Sequence, residues 1–229
     1  VNIGDYNNGN NNFLNLIKKL DSLNKIKRFR ISSIEPNLLT DEIIDFVNES
    51  PSFLPHFHIP LQSGCDKILK LMKRKYNVNS YRKKIEMIRS RIKESCIGAD
   101  VIVGFPGETQ EDFEETFNFI NKLDIDYLHV FSYSKRDNTL AIEYNNHLSI
   151  ETIHNRSKRL RKLSEILRQN FYLSNIGKQK EVLFESINSQ GYLTGFSDNY
   201  VRILSEGSKE LINNCKILLE KIALGPAAN

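Results

Sequence analysis

A change of hydrophobic period constrains this chain most. Up to about residue 133, short apolar or β-branched runs alternate with longer amphipathic stretches, and from Gly177 onward the spacing becomes period two. The first pattern is the βαβα order of a parallel sheet or barrel; the second fits short antiparallel strands separated by Asn, Ser, Gly and Asp. The expected fold is therefore α/β, a partial (β/α) barrel followed by a small all-β, OB-like module. With 229 residues, 40% of them hydrophobic, the chain has room for one medium domain and such a module.

The spacing predicts helices over 13–23, from Thr40 with Asp41 and Glu42 in the first turn, across a hairpin from Asp66 to Lys93, and from Thr109 to Leu123. Thr109 with Asp112 has the form of a capping box. Strands are expected at 28–33, 56–60, 97–103 and 127–133. Ser149 can cap a long helix with the stripe Ile150, Ile153, Ser157, Leu160, Ser164, Leu167 and Phe171. Strands follow at 180–187, 191–196 and 200–204, whereas 209–222 reads as helical or irregular. The corresponding domain boundaries are 1–148, 149–172 and 173–229.

No apolar run is long enough to cross a membrane, and no signal peptide is visible at Val1-Asn2-Ile3-Gly4-Asp5, which also lacks an initiator Met. Cys65, Cys96 and Cys215 are scattered and odd in number. They read as reduced thiols of a cytoplasmic protein, without the spacing to hold zinc or an iron-sulfur cluster. The net charge of +4 is modest, so local clustering matters more. Arg156, Lys158, Arg159, Arg161, Lys162 and Arg168 crowd one face of the long helix, either as a phosphate-binding surface or as a solvated face.

Three segments carry candidate chemistry where strands end, the place at which α/β folds bind ligands. They are Ser32-Ser33-Ile34-Glu35-Pro36, His56 through Asp66, and Asp100 through Thr109. Phe29 and Ile31 alternate with Arg28, Arg30 and Ser32, while Phe57, Ile59 and Leu61 alternate with His56, His58 and Gln62. Each strand thus has a polar face, which suits a ligand site or a wet edge strand. Gly104 and Gly107 let a flat ligand approach the main chain, with the Glu108 carboxylate at the helix start; a purely structural turn would look similar. Neither GxGxxG nor GK[ST] occurs. His56 and His58 share a face and could ligate a metal, but the sequence identifies no third ligand, so no metal site is assigned.

Together, Arg30 to Pro36, His56 to Gly64, Asp100 to Thr109 and Tyr133-Ser134-Lys135-Arg136 closely resemble the radical SAM methylthiotransferases. Residues from Gly177 onward resemble the RNA-binding TRAM domain. The Ser-Ser-Ile-Glu-Pro form, Leu128-His129-Val130-Phe131 and the Ser-Lys-Arg after Tyr133 look most like the MtaB type, which acts on N6-threonylcarbamoyladenosine in tRNA. The resemblance implies reductive cleavage of cluster-bound S-adenosyl-L-methionine (SAM) to a radical, sulfur insertion at adenine C2, and methylation by a second SAM. It implies that Gly104, Phe105, Gly107 and Glu108 border SAM's adenosine, with His58, Gln62 and Ser63 near its polar groups. Arg136 would face SAM or substrate. Ser32, Glu35, Arg156, Arg159, Lys162 and Lys180 would contact substrate or tRNA at the anticodon stem-loop.

The family's CxxxCxxC motif and the auxiliary-cluster cysteines, for two 4Fe-4S clusters in all, are expected upstream of Val1. The chain is accordingly expected to be a C-terminal portion that holds no cluster alone. The alternatives are a methylthiotransferase for isopentenyladenosine, a non-catalytic RNA-binding scaffold, and an unrelated α/β-barrel hydrolase or lyase.

Overall fold

The computed structural model describes residues 3–9, 11–23, 25–135, 139, 141, 143–144, 146–214, and the backbone of 215–219. Ile3–Asp5 form a 3-10 turn, and a two-residue hairpin, β1 (Asn7–Asn8) with β2 (Asn11–Asn12), follows. The first large unit is a parallel sheet of order β3 (Phe29–Ile31), β4 (Phe53–His58), β5 (Cys96–Val103) and β6 (Tyr127–Ser132). Its connections carry α1 (Phe13–Asp21) before β3, then α2 (Asp41–Glu49), α3 (Asp66–Leu71), α4 (Val78–Arg91) and α5 (Gln110–Asn121). Four parallel strands joined through helices are the arrangement that the alternating period predicts.

Local signals explain several boundaries. Asn77 and Ser80 form a capping box at α4, and Thr109 with Asp112 forms the expected one at α5. Thr40 sits at the N-cap of α2, but its hydroxyl makes no capping bond there. Phe57, Ile59, Ile97, Ala99, Val101 and Leu128 pack under the helices in one core. The intervening residues of β4 to β6 form the opposite, inner face.

Helix α6 (Ile150–Asn175) runs along β6 and closes that edge. Leu128 donates its amide to Ser164 Oγ at 2.8 Å, and the same hydroxyl donates to the Leu128 carbonyl at 3.1 Å. These bonds satisfy the Leu128 main-chain groups on the edge strand. Ser157, Leu160, Ser164 and Phe171 are buried as their spacing predicts, whereas Ile150, in the first helical turn, is 87% exposed.

The second unit is an antiparallel sheet of order β10 (Cys215–Leu219), β7 (Gln179–Ile187), β8 (Leu193–Ser197) and β9 (Arg202–Ser205). The expected helical or irregular tail is a 3-10 turn at Lys209–Leu211, after which residues 215–219 pair with β7 as a strand. Val182, Phe184, Leu193, Val201 and Ile203 form its core, which Phe171, Cys96 and Tyr127 complete. The module therefore packs directly against the parallel sheet. Among the described residues, no helix is long and apolar enough to span a membrane.

Candidate functional site

The inner face of the parallel sheet is built in layers. At its base Tyr200, from the turn between β8 and β9, stacks on Phe196; the Arg30 guanidinium lies 4.2 Å from its ring centre and His56 lies 4.6 Å away, centre to centre. His56 Nε2 is 3.0 Å from the Tyr127 hydroxyl. Burial, reinforced by the Arg30 charge, pushes the His56 imidazole down to about 3, so the ring is neutral. One layer higher, His58 Nε2 lies 2.8 Å from Asp100 Oδ1, and His129 Nδ1 lies 3.5 Å from the same oxygen. Burial works against the Asp100 charge, but the hydrogen bonds of His129 and His58 outweigh it and hold the carboxyl at about 2. His129 and Phe131 stand about half exposed on this face.

Above these layers a cavity of about 190 Å³ opens at the strand ends, lined by Leu71, Met72, Lys73, Arg74, Ile102, Phe105, Ala141 and Tyr144. Its apolar wall and volume suit one flat ring rather than a whole dinucleotide-sized ligand. Arg74 pairs with Glu35 at 2.9 Å, so Glu35 reaches the cavity rim through a residue that the sequence did not single out. Phe105 is buried against Tyr133 and Tyr144. Ser32 is exposed, next to Ser33 in a left-handed backbone conformation (φ 57°).

Several residues expected to meet a ligand have partners within the protein. A Cβ at Gly104 would collide with Ile153 of α6, so Gly104, at φ 80°, makes room for the close approach of that helix. Glu108 Oε2 accepts the Gly104 amide at 3.2 Å and Oε1 is paired with Arg156, both side chains being 5% exposed. Glu108 and Arg156, expected at a ribose and at RNA phosphates, are thus paired with each other inside the protein. Gly107 has φ 85° and no such crowding. The Ser63 hydroxyl is shared with Thr116 at 3.1 Å and accepts the Cys65 amide, facing α5 rather than the strand ends. Gln62 is buried with φ 67°, and its amide donates to the Asp100 carbonyl at 2.7 Å, which extends β4 towards β5. Arg136 lies outside the described residues.

The basic helix is divided in the same way. Arg159 makes two bonds to Glu114, at 2.6 and 2.9 Å, over the rings of Phe113 and Phe117. Lys158, Arg161 and Lys162 face solvent. Lys180, expected to contact substrate or tRNA, is 7% exposed and bonded at 2.5 Å to Glu94 in the turn before β5, which ties the module to the parallel unit. Asn199 and Lys178 reach the same residue, and Arg28 joins Glu181 at 3.0 Å. No local pattern signals these contacts, which join residues 84 to 153 positions apart.

A 4Fe-4S cluster bound through this chain would need converging thiolates. Cys65 is buried beside Ile68 and Phe105, and burial pushes its thiol up to about 12. Cys96 lies in the other core, where burial likewise raises its thiol. These two protonated thiols do not fit a cluster.

The family profile described as the Radical SAM superfamily matches residues 4–120. A Bacillus subtilis protein named threonylcarbamoyladenosine tRNA methylthiotransferase MtaB is 35% identical over 216 residues, which cover 92% of this chain and 48% of that protein. A Thermodesulfovibrio yellowstonii protein named tRNA-2-methylthio-N(6)-dimethylallyladenosine synthase is 36% identical over 218 residues, covering 94% and 51%. The chain thus spans about half the length of these curated relatives. Among solved structures, the radical SAM enzyme coproporphyrinogen III oxidase (HemN) of Escherichia coli superposes with a TM-score of 0.56 at 12% identity, over 86% of this chain and 52% of that one.

Proposed function

Because the chain belongs to the radical SAM superfamily, we propose that it acts in tRNA methylthiolation, the replacement of hydrogen by a methylthio group at C2 of an N6-modified adenosine beside the anticodon. The observation that carries this reading is the 35% identity to the Bacillus subtilis methylthiotransferase over almost the whole of this chain. The Ser32 to Pro36 segment favours N6-threonylcarbamoyladenosine as substrate. Isopentenyladenosine is the second reading, supported by the 36% identity to the dimethylallyladenosine synthase.

SAM, when bound, supplies the radical and the methyl group. This chain's residues give it a place: Ile102, Phe105 and Tyr144 form a slot for a flat ring, and the Glu108–Arg156 pair fixes the turn beside it. Phe131 offers an exposed ring on the inner face for a stacked base. Lys158, Arg161 and Lys162 provide the phosphate-facing surface. Residues 173–229 act as a TRAM-like RNA module, 1–148 as the barrel part and 149–172 as the link, in a cytoplasmic enzyme. The three thiolates that superfamily chemistry requires come from residues other than Cys65 and Cys96.

Deleting the encoding gene and analysing tRNA nucleosides by mass spectrometry tests the reading. Loss of 2-methylthio-N6-threonylcarbamoyladenosine supports it; loss of the isopentenyl derivative transfers it to the second substrate. Unchanged levels of both refute it.

A further inference from the structure

The inner face carries a group of donors that does not line the cavity at the strand ends. His58 on β4, Asp100 on β5 and His129 on β6 come from three adjacent strands, and one ligand atom from each lies within 4.8 Å of the others. The register explains the convergence. His58 pairs with Gly98, two positions before Asp100, and Asp100 pairs directly with His129.

We infer that His58, Asp100 and His129 form a binding site for one divalent first-row transition ion of the zinc, cobalt or ferrous class. An ion about 2.1 Å from each donor needs donor separations of about 3.0 Å in octahedral and about 3.4 Å in tetrahedral geometry. The distances from Asp100 Oδ1, 2.8 Å to His58 Nε2 and 3.5 Å to His129 Nδ1, bracket that range. The two imidazole rings meet edge to face at 71°, with centres 5.0 Å apart. Two imidazoles and one carboxylate form a known facial set that leaves coordination positions open. His129, 48% exposed, leaves the group accessible from solvent.

Charge and packing make this group a better host than its neighbours. His56 is turned away to Tyr127, so the pair that alternates along β4 does not act together. The other candidate set, Cys65, Asp112 and Glu115, already has the Lys67 ammonium 2.6 Å from Asp112 and a buried thiol.

The test is a Co(II) titration of the chelator-stripped 229-residue chain, followed by visible absorption and calorimetry, with Zn(II) as competitor. The expected result is one equivalent of Co(II) with a ligand-field band, displaced by Zn(II). Affinity should fall at least about tenfold in His129→Ala and in Asp100→Asn, and remain unchanged in the exposed-residue control His154→Ala. Because His129 is half exposed, its variant should keep the parent's far-ultraviolet dichroism. The inference is overturned if saturable binding is absent, if binding is equal in all variants, or if it is lost only in Asp112→Asn. None of these readouts requires methylthiotransferase activity.

Discussion

Replacing Arg156 with Leu leaves the Glu108 carboxylate enclosed between α6 and the Gly104 turn, with the Gly104 amide still donating at 3.2 Å. Both side chains of the pair are 5% exposed, so water cannot take over the lost contact. Removing one partner of such a pair costs roughly 3–5 kcal/mol, because the other charge stays buried and unpaired. In a chain of this size 1 kcal/mol corresponds to roughly 2–4 °C, so the expected fall in Tm is about 6–20 °C. Combining Arg156→Leu with Glu108→Gln removes both charges. The double variant should recover about 2 kcal/mol or more relative to the sum of the two single losses. Urea unfolding at pH 7, followed by circular dichroism and tyrosine fluorescence, measures each corner of the cycle; the chain has nine tyrosines and no tryptophan. A single-variant loss below about 1 kcal/mol, or strictly additive losses, would refute the buried clip.

Gly104→Ala should destabilise the fold by roughly 1–3 kcal/mol through collision with Ile153 and the left-handed backbone; Ile153→Ala in the same chain should restore the collision part, leaving a residual strain penalty in urea melts. His56 is neutral in the folded protein down to about pH 3, so as pH falls below about 6.5 the unfolded state gains a proton first and stability drops. The slope is up to about 1.4 kcal/mol per pH unit, and a His56→Phe variant should lose that component between pH 6 and 4 when compared with the parent. Iron and sulfide analysis of the chain after anaerobic reconstitution should find no stoichiometric 4Fe-4S cluster, because Cys65 and Cys96 lie in different cores; a full cluster complement would contradict the thiol assignment.

Elements were more legible than partners. The α5 start was readable because a capping box lies within four consecutive residues, and Ser149 likewise accepts the Thr152 amide at 3.1 Å as its position predicts. The strand at 215–219 carries no clear local signal because its pairing with β7 depends on a strand more than 30 residues away. His58 and Asp100 both lay in motifs at strand ends, yet their joining with His129 depends on strand register. Lys180 and Arg156 looked like phosphate ligands because a basic side chain shows its charge in the sequence and hides its partner.

The sequence alone determined the alternation of strands and helices, the shift to period two, and the placing of polar segments at strand ends. Those properties follow from backbone geometry and local capping, whose range is a few residues. Only the tertiary structure decided which charges are spent inside the protein and which remain for a ligand. Glu108 meets Arg156 across 48 positions and Glu94 meets Lys180 across 86, and such encounters are fixed by packing, not by spacing along the chain.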